Sequence, residues 1–165
     1  MSQTKNEVVI LLGANLGDRK AMFSQVKTYI TEHIGDCLKE SAIYASKAWG
    51  FASNNEFYNQ VIVVETEFSA HDVLLRCQAI ENHCGRTREK GNEYEDRTID
   101  IDLLYFNNDI VDTDDLIVPH PFLQERRFTL EPLCEIMPDY VHPIFLKTNA
   151  QMLKECRDKG NVTRV

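Results

Sequence analysis

The chain has 165 residues, 43% of them hydrophobic and 27% charged, a balance that suits one soluble globular domain able to bury a core. Its formal net charge of −8 argues against a nucleic-acid partner, because a phosphate backbone calls for a basic surface. The longest apolar runs, such as residues 8–12 and 61–64, are too short to span a bilayer, and without an export signal the chain is expected in the cytoplasm with no membrane partner.

Residues 8–12 form a continuous apolar run, the pattern of a strand buried on both faces. A tight turn is expected over Gly13, Ala14, Asn15, Leu16 and Gly17. Asp18 then caps a helix in which Phe23, Val26, Ile30 and Ile34 keep helical spacing, and Gly35 stops it. Residues 38–46 read as a second strand and residues 57–66 as a third. Ser69 with Asp72 opens a second helix that Gly85 closes, and residues 98–106 make a fourth strand. The order is βαββαβ, so the predicted fold is α+β and ferredoxin-like, with helices packed on one face of an antiparallel sheet. Proline-marked turns follow, then a short helix through Leu130, Leu133, Cys134 and Met137 and a last one at residues 150–157.

The five cysteines include no CxxC pair and read as reduced thiols. Cys77, His83 and Cys84 are three candidate zinc ligands. However, Val73, Cys77, Ile80 and Cys84 lie on one helical stripe, which reads better as core.

The most informative segment is Arg97-Thr98-Ile99-Asp100-Ile101-Asp102. On a strand Asp100 and Asp102 share one face, on the order of 7 Å apart at the Cα, while Ile99, Ile101 and Leu103 take the other. At an effective dielectric near 20 their repulsion is about 2 kcal/mol. A divalent cation relieves it, and rigid oxygen ligands suit magnesium. The alternative is a half-exposed strand with its polar face in water. Just upstream, Arg86, Arg88 and Arg97 lie in a polar stretch bounded by glycines, the pattern of a mobile phosphate-binding loop or of a solvated charged one. Downstream, His120 stands between two prolines, and Arg126, Arg127 and Phe128 follow. The negative net charge does not exclude ATP, a small anion that local arginines and magnesium can hold.

Together these residues make the chain recognisable. It resembles the 6-hydroxymethyl-7,8-dihydropterin pyrophosphokinase family along almost its whole length. The resemblance runs from Gly13-Ala14-Asn15-Leu16-Gly17 through Trp49-Gly50, Phe57-Tyr58-Asn59, Gln78 with Glu81, and Gly85-Arg86-Thr87-Arg88. It ends with the R-x-x-D-I-D run, Val118-Pro119-His120 and Arg126-Arg127-Phe128.

The resemblance implies transfer of pyrophosphate from ATP to the pterin hydroxymethyl group, with release of AMP. It implies two magnesium ions on Asp100 and Asp102, and Arg86 and Arg97 as catalytic partners of those aspartates. Gln78, Glu81, Arg86, Arg88, Arg97, Leu103, His120 and Arg126 would meet ATP. Ser46, Trp49, Gly50, Phe57, Asn59 and Phe128 would hold the pterin, and Tyr94 would lie in a closing loop. The pterin positions also make sense from the residues themselves. Phe57 and Asn59 share a strand face, Phe128 offers a second aromatic wall, and an amide suits a heterocycle that both donates and accepts. The plain alternative for both phenylalanines is core packing.

The chain departs from the family pattern at Lys47-Ala48, where many relatives carry prolines, and at Trp49. It departs again at Tyr94, at Glu95-Asp96, and at Asp115 and Ile117. The expected protein is one domain over residues 1–165, a monomer whose partners are ATP and the pterin. The rival readings are a two-metal nucleotidyl transferase and a non-catalytic small-molecule-binding module.

Overall fold

The computed structural model describes residues 5–47, 56–85 and 99–165. Strand β1 (Asn6–Ala14) is the centre of the sheet, pairing antiparallel with β4 (Phe57–Thr66) on one side and β5 (Asp100–Phe106) on the other. Outside β4 lie β2 (Gly35–Glu40) and β3 (Tyr44–Ser46), and β8 (Val162–Arg164) pairs with β3 at the edge. Strands β6 (Val111–Asp112) and β7 (Ile117–Val118) form a second, two-stranded sheet, with Val118 buried in the core.

With helix α1 (Arg19–His33) between β1 and β2 and helix α2 (Ala70–Cys84) between β4 and β5, the βαββαβ order predicted above is realised. Asp18 caps α1 by accepting from the Ala21 N–H at 3.0 Å, and Ser69 caps α2 by accepting from the Asp72 N–H at 3.2 Å. The strand expected at residues 57–66 is found there.

Both faces of the sheet are covered, which extends the one-faced arrangement expected. Val8, Ile10 and Leu12 of β1 pack with Phe23, Val26 and Ile30 of α1 and with Val73, Cys77 and Ile80 of α2. Val9 and Leu11, turned the other way by the pleat, pack with Leu130 and Leu133 of α3 (Arg127–Ile136) and Met152 of α4 (Asn149–Glu155). The strand of period two thus feeds two separate cores, which is why β1 reads as uninterruptedly apolar.

Three local expectations change. The second strand is split: Ser41 breaks it, its hydroxyl accepting from the Val61 N–H at 3.0 Å while its carbonyl accepts from Gln60 Nε2 at 2.7 Å. Gly35 does not end α1 as a cap but begins β2 opposite Thr66. Gly13 and Ala14 belong to β1, so the turn begins only at Asn15. Cys77 and Cys84 lie in the core, whereas exposed His83 bonds the Tyr29 hydroxyl at 2.7 Å. No helix among the described residues is long and apolar enough to cross a membrane.

Candidate active site

The sheet register lays out a row of functional side chains on the face that α3 covers. Asp100 pairs with Gly13, and Gly13 pairs in turn with Asn59. One pleat along, Asp102 pairs with Leu11. Ser46 pairs with Phe57 at the other end of β4. Because alternate residues share a face, Asp100, Asp102, Asn59, Phe57 and Ser46 converge on one side of the sheet.

The start of α3 closes this row from above. Arg126 and Phe128 overhang a pocket of about 210 Å³ whose floor includes Leu11, Gly13 and Asn59 and whose rim includes both aspartates, Ser46 and Phe57. An aromatic pair, an amide and two carboxylates therefore open into one cavity. The aromatic walls and the polar floor suit a flat heterocycle.

Two buried polar atoms carry a specific signal. Asn59 is 4% exposed; its Nδ2 reaches the Leu12 carbonyl at 3.5 Å, yet its Oδ1 has no hydrogen-bond partner among the described residues. Ser46 Oγ is likewise buried and unpartnered there. Such atoms are costly unless something completes them, and both belong to residues lining this pocket. A ligand with N–H donors at its edge would satisfy the carbonyl of Asn59.

Asp100 and Asp102 are half-buried carboxylates on a strand anchored in the sheet, and their oxygens suit a hard divalent cation. Among the described residues no group of three or more metal-ligating side chains converges. The pair fits magnesium on donor chemistry.

Glu81 reaches across from α2 to β5. It is 6% exposed at the C-terminal end of α2, and its Oε2 accepts from the backbone N–H of Ile101 at 2.9 Å. That bond grips β5 between the two aspartates. Gln78, three residues earlier, is exposed. Leu103, 4% exposed, pairs with Ile10 in the core beneath α1 and α2, on the face opposite Asp102.

His120 and Arg126 lie close together with Phe122 beside both: the His120 ring meets Phe122 edge-on at 6.1 Å, and the Arg126 guanidinium sits 5.2 Å from the Phe122 ring centre. Burial, aided by the positive charge of Arg126, lowers the His120 pKa to about 4, so its ring is neutral near pH 7. Its Nδ1 accepts from the Phe122 N–H at 3.2 Å, which places the ring proton on Nε2 as a neutral donor. Burial also pulls the Arg126 guanidinium below its ordinary value, against the opposing pull of Asp102 and Glu125.

Trp49, Gly50, Arg86, Arg88, Tyr94 and Arg97 lie outside the described residues. Asp115 is tied to the start of α2, 3.3 Å from His71 Nε2 and accepting from the Thr113 hydroxyl at 2.9 Å. Sequence reasoning did not single out Leu11 or Lys47 as pocket residues. The only available signal for Leu11 was its place one pleat before Gly13 on the strand.

Comparison with known proteins agrees with this geometry. The family model for 7,8-dihydro-6-hydroxymethylpterin-pyrophosphokinase matches residues 9–138. The 2-amino-4-hydroxy-6-hydroxymethyldihydropteridine pyrophosphokinase of Aquifex aeolicus is 36% identical over 140 residues, 85% of this chain and 86% of that protein. The Bacillus subtilis protein of the same name is 38% identical over 132 residues, 79% of this chain and 78% of its own length. Among solved structures, the wild-type Plasmodium falciparum HPPK-DHPS with pteroate superposes with a TM-score of 0.72 at 15% identity. That likeness covers 94% of this chain but only 45% of the larger one, and it speaks to the fold. A family model matching residues 9–138, a range that contains β4, β5 and α3, together with relatives of this identity and coverage, places this protein in the 7,8-dihydro-6-hydroxymethylpterin-pyrophosphokinase family.

Proposed function

We infer that the chain transfers the terminal pyrophosphate of ATP to the hydroxymethyl group of 6-hydroxymethyl-7,8-dihydropterin, giving the pterin diphosphate and AMP in folate biosynthesis. The observation that carries the reading is the single pocket in which Phe57, Phe128 and Asn59 stand beside Asp100 and Asp102.

In this reading the pterin ring lies between Phe57 and Phe128, with Asn59 Oδ1 and Ser46 Oγ accepting from its edge. The hydroxymethyl group then points along the row toward Asp100 and Asp102. Magnesium, held by those two carboxylates, would neutralise phosphate charge and polarise the reacting phosphoryl group. Asp102 helps orient the acceptor hydroxyl or takes its proton, a role that its place across from Leu11 on the pocket floor allows. Arg126 adds positive charge over the pocket, and His120 offers a neutral N–H donor beside it. Arg86, Arg88 and Arg97 complete the phosphate contacts, Gln78 meets the nucleotide, and Trp49 and Gly50 contact the pterin. Glu81 acts through β5, setting the strand that carries both aspartates. A monomer in the cytoplasm is proposed on the sequence alone.

The test mixes the protein with ATP, magnesium and the pterin alcohol and separates the nucleotides. AMP formed in step with a pterin diphosphate and abolished by EDTA supports the reading. ADP with a pterin monophosphate overturns the reaction. AMP joined to the product marks nucleotidyl transfer, and ATP binding without turnover marks a binding module.

A further inference from the structure

Residues 139–165 follow the stretch that the family model matches, and they return to the pocket. After α4, β8 pairs antiparallel with β3, which sets Val162 opposite Ser46 in the same row as Phe57. Between them residues 156–161 pass beside the start of α3. There Asp158 Oδ2 accepts from the backbone N–H of Arg127 at 3.2 Å, and its Oδ1 accepts from the Gly160 N–H at 2.9 Å.

This carboxylate does the work that α3 does not do for itself. Arg126, the residue at the helix N-cap, supplies no side-chain cap; its carbonyl accepts from the Thr129 N–H at 3.1 Å, and the Arg127 N–H turns to Asp158. A carboxylate at that end is also favoured by the helix dipole. The turn is shaped around it: a Cβ on Gly160 would lie 3.1 Å from Asp158 Oδ1.

Further along, β8 is tied to α3 a second time. The Arg164 guanidinium meets Glu135 Oε1 at 3.3 Å and the Tyr44 hydroxyl at 3.2 Å, and the Tyr44 hydroxyl donates to the same Glu135 oxygen at 2.7 Å. The C-terminal segment therefore joins β3 to both ends of α3. Ser46 and Lys47 at the end of β3 and Arg126 and Phe128 at the start of α3 all line the acceptor cleft. A second cavity of about 360 Å³ shares Ser46, Lys47 and Phe128 with it and is lined besides by residues 158–162.

We propose that Asp158 is a positioning residue for the acceptor: it holds the first turn of α3, and Phe128 with it, at the separation from β4 that a flat ring requires, while residues 158–162 form the outer wall of the cleft. The proposal rests on the reading of that cleft as the pterin site. Loosening the helix start changes the gap between the aromatic walls, so acceptor binding is affected more than nucleotide binding.

The experiment compares Asp158→Ala, Asp158→Asn and Asn59→Ala, measuring acceptor affinity in the presence of a non-hydrolysable ATP analogue and magnesium, and analogue affinity alone. Asp158→Ala is expected to weaken the acceptor about tenfold and the analogue less than about threefold, and Asp158→Asn, which keeps an oxygen for the Arg127 N–H, to restore most of the loss. If Asp158→Ala binds the acceptor normally while Asn59→Ala has lost it, the cleft stands and the role of Asp158 is overturned. If Asn59→Ala also binds normally, the cleft reading falls and the proposal falls with it. Hydrogen exchange on the unaltered protein gives a second measurement that needs no variant to fold. Acceptor with the analogue should slow exchange at residues 127–130 and 158–162 together, and unchanged exchange at 158–162 overturns the proposal.

Discussion

Gly13 on β1 and Asn59 on β4 face each other so closely that a Cβ at position 13 would lie 2.9 Å from Asn59 Nδ2. The glycine is therefore the seat of the Asn59 amide, for which we propose the role of reading the acceptor. Gly13→Ala should push that amide aside, raising the KM for the pterin about tenfold while the KM for ATP moves less than about twofold. Steady-state kinetics with each substrate varied in turn checks this, and an equal rise in both would indicate a general distortion of β1 instead.

Ser46 Oγ is buried and lacks a partner among the described residues, so its presence does not help the free protein fold. Ser46→Ala should leave thermal stability unchanged or raise it by up to about 1 kcal/mol, while acceptor affinity falls. Chemical denaturation and a binding titration on the same preparation test the two halves together. A loss of stability with unchanged affinity would place the hydroxyl in the scaffold.

Asp100→Asn and Asp102→Asn each remove a negative oxygen from the pair on β5. Turnover should drop by about a thousandfold or more, while pterin binding measured without metal stays near that of the unaltered protein. EDTA should abolish the remaining rate of the unaltered enzyme. Full activity in Asp102→Asn would exclude the orienting or proton-accepting role assigned to it.

The Glu81 carboxylate accepts the Ile101 N–H at 2.9 Å in a buried setting. Glu81→Ala leaves that N–H without its acceptor and should cost about 1–3 kcal/mol of stability, with a fall in kcat as β5 shifts. Glu81→Gln keeps an acceptor oxygen and should recover much of both. A stable Glu81→Ala protein that has lost only ATP affinity would return Glu81 to a contact role.

His120 has a folded-state pKa of about 4, below the usual 6.5. The unfolded chain therefore takes up this proton first as the solution is acidified, so the neutral ring contributes stability above about pH 6.5 that is lost as pH falls toward 4. Unfolding free energies of the unaltered protein and of His120→Gln should diverge in slope across that window and run parallel above it. Parallel curves throughout would show that the ring is not held neutral by its surroundings.

Much of this protein could be read locally. Strand alternation alone put Asp100 and Asp102 on one face, because a period of two depends only on the backbone. Helix caps at Asp18 and Ser69 were legible for the same reason: a side chain and the N–H it satisfies lie three residues apart. The apolar stripe through Val73, Cys77, Ile80 and Cys84 identified a core face before any partner was known.

Other features depend on residues far apart in the chain. Nothing near Gly13 says that Asn59 will lie across from it, since that is settled by the register of β1 against β4. The pleat turns Leu103 into the core, and Glu81 reaches the Ile101 amide across 20 residues of chain. The α3 N-terminus finds its carboxylate 31 residues downstream, on a segment whose final strand had no periodic signal of its own. Three residues are too few to show a period, so β8 forms only because β3 offers an unpaired edge. Local sequence thus determined which side chains could act together along one strand or one turn of helix. Packing determined which strands and helix ends were brought beside them, because those bonds form only after the chain has closed its long loops.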